Sequence, residues 1–184
     1  MIGKTPGLDY IEITGPGEVA LNADLHWLIA HIRKVTSLPI AISSCGSLCW
    51  RISVHNDFNK VNAVSLRLDS ADRVIYHTIN QFQQQIPFER YITGIKNFRQ
   101  SFQGDFYLTV CLIDKINTGG SALYRLTSLV NSLTPKAVFL TSSDVVLNNE
   151  VIPALSEEQL KQLVTQFGPE AQILTGCAQQ VLYT

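Results

Sequence analysis

The feature that most constrains the fold is a repeated alternation between short apolar runs and longer runs with helical periodicity. The short runs predict strands at residues 8–14, 38–44, 61–69, 105–113, 136–143 and 171–175. Helices are predicted after Asn22 and over residues 47–58, 71–80, 88–102, 121–133 and 156–167. This order, βαβαβααβαβαβ, predicts an α/β fold of parallel strands joined by right-handed helical crossovers, with the strands buried on both faces.

Local signals support the helix assignments. Asn22 is expected to cap the first helix, and Ser156 with Gln159 forms a capping-box pattern at the start of the last one. The segment that follows residue 143 is expected to be a polar loop. Four aromatic residues are expected to lie in the core: Tyr91, Phe98, Phe102 and Phe106.

Length and composition limit the class of protein. With 184 residues, of which 46% are hydrophobic and 16% charged, the chain fits one domain over residues 1–184. The 14 Lys and Arg residues balance the 15 Asp and Glu residues without runs of either sign, which argues against nucleic acid as a partner. No apolar run approaches the roughly 20 residues that a membrane span needs. We therefore expect a cytoplasmic protein with no membrane partner and with free thiols at its four cysteines.

The loops that follow the predicted strands are the most polar turns of the chain. In parallel α/β folds such loops meet at the carboxyl edge of the sheet and carry the functional site. In the first loop, Gly15 and Gly17 would let a ligand approach the backbone closely, and Glu18 could pair with a cationic group. The alternative for Glu18 is a structural acid that favours the positive end of the helix dipole.

Four motifs in sequential order resemble those of the S-adenosylmethionine (SAM) radical enzymes, in the branch of Fe-S oxidoreductases and activating enzymes. They are "ITGPGEVALNADL", "SSCGSL", "LDSADRVIYHTINQ" and "LIDKINT", and the resemblance spans residues 10 to about 167. It implies a partial (β/α) barrel of five or six parallel strands. It also implies a cofactor-binding role for the glycine-glutamate loop, which would hold the amino group of SAM.

The same resemblance implies further cofactor-binding positions at Ser44, Asp69 and Asn117. Asp69 follows a strand and could bind ribose hydroxyls, or it could instead cap the helix that starts near residue 72. Asn117 is expected to organise its own turn.

The departures from the family pattern concern the iron-sulfur cluster. The family holds a 4Fe-4S cluster on a C-x3-C-x2-C loop after its first strand, and this sequence contains no such motif. Its resemblance starts at the family's second strand, so the first βα unit has no counterpart. Cys45, Arg67 and Gln81 also replace residues that are usual in the family. We therefore expect no metal site, no 4Fe-4S cluster on this chain alone and no radical chemistry without another source of the cluster.

Two functions remain open on the sequence. The chain could be the SAM-binding core of a radical SAM oxidoreductase whose cluster segment has been lost or is supplied by another chain. It could instead be a degenerate domain that binds SAM or a related nucleotide, or that serves as a protein-interaction scaffold. In either case the strand at residues 8–14 is expected to form an exposed edge, through which the chain pairs as a homodimer or with another polypeptide.

Overall fold

The computed structural model describes residues 9–80, 86–147 and 149–174, which form an open six-stranded parallel sheet with helices packed on it. In spatial order the strands are β1 (Ile11–Ile13), β2 (Ile40–Ser44), β3 (Ala63–Arg67), β4 (Asp105–Cys111), β5 (Ala137–Thr141) and β8 (Ala171–Ile173). Every neighbouring pair in this sheet is parallel. The predicted α/β class is confirmed, although the strands are shorter than the predicted runs.

The helices form the crossovers between consecutive strands of the sheet. They are α1 (Leu25–Val35), α2 (Ile52–Phe58), α3 (Arg73–Ile79), α4 (Phe88–Ser101), α5 (Gly120–Ser132) and α6 (Glu157–Val164), with 3-10 turns at Val19–Leu21 and Thr165–Phe167. The capping box at Ser156 and Gln159 is confirmed. In the described part of the chain, no helix is both long and apolar enough to cross a bilayer.

The two faces of the sheet differ in burial. One face packs against the helices, and each of its core side chains is at most 2% exposed: Ile40, Ile42, Val64, Leu66, Phe106, Leu108, Val110, Val138 and Leu140. The opposite face carries half-buried and mostly polar residues: Ser43, Ser65, Arg67, Tyr107, Thr109, Phe139 and Thr141. The prediction of burial on both faces is therefore wrong for the described residues. Strict alternation in "DFYLTVC" is the sequence signal of this half-open sheet.

The aromatic core lies between α4 and the covered face of the sheet. Phe98 stacks on Phe102 with 5.0 Å between ring centroids and meets Phe58 edge to face at 5.7 Å. All four aromatic residues predicted for the core are buried, as is Phe58. Each such side chain stabilises the fold by roughly 1.5–3 kcal/mol of transfer free energy.

A small hairpin replaces the loop that was expected after residue 143. Strands β6 (Val145–Leu147) and β7 (Glu150–Ile152) are antiparallel, and Asn149 adopts a left-handed φ of 65° between them. Val145 and Leu147 pack into a second apolar group with Cys111 at the end of β4. The sequence signal for this hairpin is the Asn-Asn pair between two β-branched runs.

Two local predictions at helix starts are corrected. Asn22 does not cap α1: the N-cap is Asp24, and the Asn22 side chain accepts a hydrogen bond from the Asp24 N–H. Helix α2 begins at Ile52 and not at residue 47, because residues 47–50 form turns that continue the loop after β2.

Candidate functional site

Glu18 joins the carboxyl ends of β1 and β2. Its Oε1 atom accepts hydrogen bonds from the Ala20 N–H at 2.8 Å and from the Ser44 hydroxyl at 2.7 Å. Its Oε2 atom accepts from the Cys45 N–H at 2.9 Å and from the Cys45 thiol. We call Glu18, Ser44, Cys45 and Ser47 the Glu18 network, because the Cys45 thiol also lies 3.1 Å from the Ser47 hydroxyl.

The contacts of Glu18 show a structural role, and ligand binding at this carboxylate stays a prediction. Glu18 is the N-cap of the 3-10 turn Val19–Leu21, which accounts for its bond to Ala20. Its remaining bonds reach a loop 27 residues further along the chain, which a local cap does not require. The half-buried carboxylate therefore lies between two strand-end loops, where it can meet a ligand or hold the loops together.

Gly15 and Gly17 border this carboxylate on an exposed loop. A Cβ atom at either position would meet no atom within 4 Å, so the backbone here is open to approach from outside. Neither glycine has a positive φ, whereas Gly46 in the neighbouring loop has a φ of 74°. Gly46 is therefore the position where the backbone conformation favours glycine. Gly15 and Gly17 instead leave their backbone exposed to a ligand.

Helix α4 supports the loop after β2. A Cβ atom on Gly94 would lie 2.6 Å from the Trp50 nitrogen and 2.8 Å from the Cys49 carbonyl carbon. A Cβ atom on Gly46 would lie 3.7 Å from the Tyr91 ring. The absent side chain of Gly94 therefore permits the close packing that fixes the Glu18 network in place.

A second polar network lies at the carboxyl ends of β3 and β4. Asp69 Oδ1 accepts from the Cys111 N–H at 2.7 Å, and Oδ2 accepts from Arg67 Nε. The Asn117 amide donates to the carbonyls of Asp69 and Cys111 at 2.9 and 2.8 Å and accepts from the Ile113 N–H. We call Arg67, Asp69, Cys111 and Asn117 the Asp69 network.

The contacts of Asp69 and Asn117 bear on two questions that the sequence left open. Asp69 does not cap α3, since the N-cap is Asp72, whose carboxylate accepts from the N–H groups of Val74 and Ile75. Asn117 organises its turn as predicted. Asp69 is 3% exposed and Asn117 is 1% exposed, and both have protein partners, so direct cofactor contact at these residues stays a prediction.

Two stacked tyrosines connect the two networks. The rings of Tyr76 and Tyr91 lie 4.9 Å apart, and the Tyr91 hydroxyl donates to the Arg67 carbonyl. The Tyr76 hydroxyl is the one buried side-chain polar atom without a hydrogen-bond partner in the described residues. Burial first, and the charge of Cys45 second, raise the pKa of Tyr76 to about 12. The Tyr76 hydroxyl is thus a buried donor on a ring that stacks on Tyr91, the residue that lies against Gly46 in the loop after β2.

The remaining described cysteines have the character of structural thiols. Burial raises the pKa of the Cys49 thiol, with further contributions from the charges of Glu18 and Cys45. Burial also raises the pKa of the Cys111 thiol, followed by the charge of Asp69. Across the described ranges, no three His, Cys, Asp or Glu side chains are grouped so that they could hold a metal ion. Gln81 and Cys177 lie outside these ranges.

Sequence comparison finds relatives that are longer than this chain, while no family model matches it. A GTPase Obg of Brachyspira hyodysenteriae is 30% identical over 160 residues, a match that covers 87% of this chain and 24% of that protein. UPF0026 proteins of Methanocaldococcus jannaschii and Helicobacter pylori are 25% and 26% identical over 73% and 85% of this chain. These two matches cover 42% and 50% of the relatives. The chain thus spans between about a quarter and a half of the length of these curated relatives.

Comparison with solved structures identifies the fold. A domain of a pyruvate-formate lyase-activating enzyme from Bacteroides vulgatus aligns over 89% of this chain and 98% of that domain, with a TM-score of 0.66 and 17% identity. A radical SAM methyltransferase from Sphaerobacter thermophilus aligns over 91% of this chain and 51% of its own, with a TM-score of 0.66 and 15% identity. The fold resembles a partial radical SAM barrel. At these identities the likeness concerns the fold, and the expected architecture is confirmed.

Nothing in the sequence alone places Gly94, Tyr91 or Tyr76 at the site. Gly94 and Tyr91 appeared as parts of a helix that packs on the core, and Tyr76 received no role. An isolated glycine within a helical pattern is the one signal that pointed to close packing at Gly94. The missing partner of the Tyr76 hydroxyl has no sequence signal, because it depends on what α3 and α4 pack against.

Proposed function

We propose that this chain is the SAM-binding part of a radical SAM oxidoreductase core of the activating-enzyme type, and that SAM binds at the carboxyl ends of β1 and β2. The observation that carries the proposal is the Glu18 carboxylate, held at the strand ends by Ser44 and Cys45. The radical SAM-like fold and the openness of Gly15 and Gly17 support it.

The described residues fit the organic cofactor better than the iron-sulfur cluster. A half-buried carboxylate suits the ammonium group of SAM, and the unpartnered Tyr76 hydroxyl offers a buried donor nearby. In enzymes of this class a reduced 4Fe-4S cluster and SAM together supply a carbon radical. The three described cysteines, Cys45, Cys49 and Cys111, are not grouped so that they could hold such a cluster, so we assign this chain the binding of SAM and no later step.

The roles of individual residues follow from their contacts. Glu18 would orient the amino group of SAM, while the exposed backbone of Gly15 and Gly17 would contact the ligand. Ser44 holds Glu18 in position through its hydroxyl. Asp69 and Asn117 would act by fixing the neighbouring loops, since their polar atoms bond within the protein. The thiols of Cys49 and Cys111, which form no disulfide, suit a reducing compartment such as the cytoplasm.

Calorimetric titration with SAM tests the proposal. We expect the parent chain to bind SAM and Glu18→Gln to weaken binding at least about tenfold, because a charged acceptor for the ammonium is lost. Glu12→Gln is the matched control: Glu12 is exposed on β1, and its carboxylate accepts only a bond from Ser43 in the described contacts. Its affinity should stay within about twofold of the parent.

The proposal fails if the parent chain does not bind SAM, or if Glu18→Gln binds as well as the parent. Thermal unfolding of both variants separates a binding defect from misfolding. An iron and sulfide assay after anaerobic reconstitution should find no cluster on the chain alone. Iron and sulfide that copurify with the folded chain would contradict the assignment of binding alone.

A scaffold role is the second candidate, and the edge of the sheet favours it. Strand β1 pairs only with β2 in the described sheet, so its outer edge is open. Helix α1, the crossover at the same margin, exposes apolar side chains at Trp27, Leu28 and Val35, of which Leu28 and Val35 lie two turns apart on one face. We propose that a second copy of this chain covers this margin.

Light scattering at micromolar concentration tests this association. We expect a dimer for the parent chain and a monomer for Leu28→Lys, which places a charge on the exposed apolar face. Val151→Lys, an exposed apolar position on β7, is the matched control and should remain dimeric. A monomeric parent chain would contradict self-association, and pairing with a different polypeptide would then be the remaining form of the scaffold role.

The similarity to a GTPase Obg does not extend to nucleotide hydrolysis in this proposal. The sequence contains no complete G-x-x-x-x-G-K-S/T motif, the loop that cradles nucleotide phosphates in P-loop enzymes. The match covers 24% of that protein, so the activity of the whole relative is not carried over to this chain.

A further inference from the structure

The Cys45 thiol occupies an acceptor position on Glu18 that a ligand ammonium group would use. Four donors reach the carboxylate: two backbone N–H groups, the Ser44 hydroxyl and the Cys45 thiol. A carboxylate offers about four lone-pair positions, so these donors leave little capacity for another one. A cationic ligand must therefore displace one of them.

Of these four donors, the thiol has the clearest alternative partner. The backbone N–H groups of Ala20 and Cys45 cannot move without changing the loops, and Ser44 Oγ is also fixed by the Gly46 N–H at 3.0 Å. The Cys45 Sγ atom lies 3.1 Å from the hydroxyl of Ser47, which is 3% exposed. Rotation of one side chain can therefore transfer the thiol from Glu18 to Ser47 without moving the backbone. A thiol is also the weakest donor of the set.

A second and independent observation, at Tyr76, supports a ligand in this part of the molecule. The Tyr76 hydroxyl is buried, with the residue 2% exposed, and has no partner in the described residues. The Tyr76 ring stacks on Tyr91 at 4.9 Å, and a Cβ atom on Gly46, the residue after Cys45, would lie 3.7 Å from the Tyr91 ring. A buried donor without an acceptor is costly, and a ligand acceptor at this position removes the cost.

We propose that Cys45 is a gate on the Glu18 carboxylate: its thiol competes with the ammonium group of the ligand and withdraws to Ser47 when the ligand binds. The inference rests on the proposed binding of SAM and adds a residue that sets its affinity and specificity. The gate acts on the ammonium group alone, so it does not change the affinity for ligands that lack the amino-acid portion of SAM. The site thereby distinguishes ligands that carry the amino-acid portion from those that do not.

Calorimetric titrations of Cys45→Ala with two probes test the gate. SAM should bind the Ala variant about threefold to tenfold more tightly than the parent, because the competing donor is gone. 5′-Methylthioadenosine, which lacks the amino-acid portion, should bind both proteins equally. Cys45→Ser should change the affinity for SAM in the opposite direction. Its hydroxyl is a stronger donor than a thiol, so SAM should bind this variant more weakly than the parent.

A double-mutant cycle with Ser47→Ala tests the withdrawal of the thiol. Ser47→Ala should weaken SAM binding about twofold to fivefold in the parent, where the displaced thiol loses its alternative acceptor. The same substitution should have no effect in the Cys45→Ala background. Equal effects in both backgrounds would show a purely structural role of Ser47 and would overturn this part of the gate.

The outcomes separate the gate from the proposed function. If the parent binds SAM through Glu18 but Cys45→Ala binds no more tightly, the gate is overturned and the binding function stands. If neither the parent nor Cys45→Ala binds SAM, both are overturned. If only Cys45→Ala binds SAM, the thiol blocks the site and does not withdraw from it, so both the binding function of the parent and the gate are overturned. Thermal unfolding confirms that each variant is folded.

Discussion

The Glu18 network and the Asp69 network occupy equivalent places at the carboxyl edge of one sheet but differ in what their polar atoms contact. Asp69 and Asn117 are buried and bond mainly to backbone groups of β4 and its following turn. Glu18 and Cys45 are half-buried, and the thiol has two acceptors within reach. The first arrangement is held by backbone groups of the sheet, whereas we propose that the second exchanges partners when a ligand binds. Burial and partner type, more than residue type, distinguish the two networks.

The largest expected effect is a loss of stability when the Asp69 network is disrupted. Asn117→Ala removes three hydrogen bonds and leaves buried backbone groups of Asp69, Cys111 and Ile113 without their partner. We expect the free energy of unfolding to fall by about 2–4 kcal/mol, measured by urea denaturation. Asn97→Ala on the exposed side of α4 is the matched control and should change it by less than about 0.5 kcal/mol. A loss below about 1 kcal/mol for Asn117→Ala would mean that the Asp69 network does not support the fold.

The next effect links helix packing to the Glu18 network. Gly94→Ala would place a Cβ atom 2.6 Å from the backbone nitrogen of Trp50, so α4 or the loop after β2 must shift. We expect a loss of about 1–3 kcal/mol in the free energy of unfolding, with weaker SAM binding, although alanine favours helix in other contexts. Gly119→Ala, where a Cβ atom meets nothing within 4 Å, is the matched control. Unchanged stability in Gly94→Ala would show that the loop accommodates the methyl group freely.

The smallest effect concerns the tyrosine that connects the networks. The pKa of Tyr76 is raised from its ordinary value near 10 to about 12, so the folded state holds a proton that the unfolded state releases above pH 10. This contribution to stability is complete below pH 10 and is lost as the pH rises to about 12. Between pH 10 and 11 the loss is about 1 kcal/mol.

Tyr76→Phe should remove this part of the alkaline loss. Since a buried hydroxyl without a partner is costly, the substitution should raise the free energy of unfolding at pH 7 by about 1 kcal/mol while weakening SAM binding. Tyr124→Phe, on the exposed side of α5, is the matched control for unfolding curves measured from pH 7 to 11. If Tyr76→Phe follows the parent curve at alkaline pH and binds SAM as the parent does, Tyr76 has no part in the site.

Much of the fold follows from signals that a short stretch of sequence carries. The strands appear as apolar runs, α4 as a helical stripe that ends in Phe102, and α6 as a capping box. These signals predict the elements correctly because hydrogen bonding and amphipathic periodicity act over about four residues. The same reasoning misplaced the cap of α1, because Asn22 and Asp24 are both suitable and the 3-10 turn before them decides which one is used.

The parallel α/β class, the order of the elements and the loops that meet at the site follow from local patterns in the amino-acid sequence. Tertiary packing sets the bond from Glu18 to a loop 27 residues away, the bond from Asp69 to a backbone group 42 residues away, and the missing partner of Tyr76 in the described residues. The two kinds of feature differ in how far apart the interacting groups lie along the chain. Local periodicity fixes where strands end, whereas the partner of a polar atom depends on register and packing between strands that are far apart in sequence.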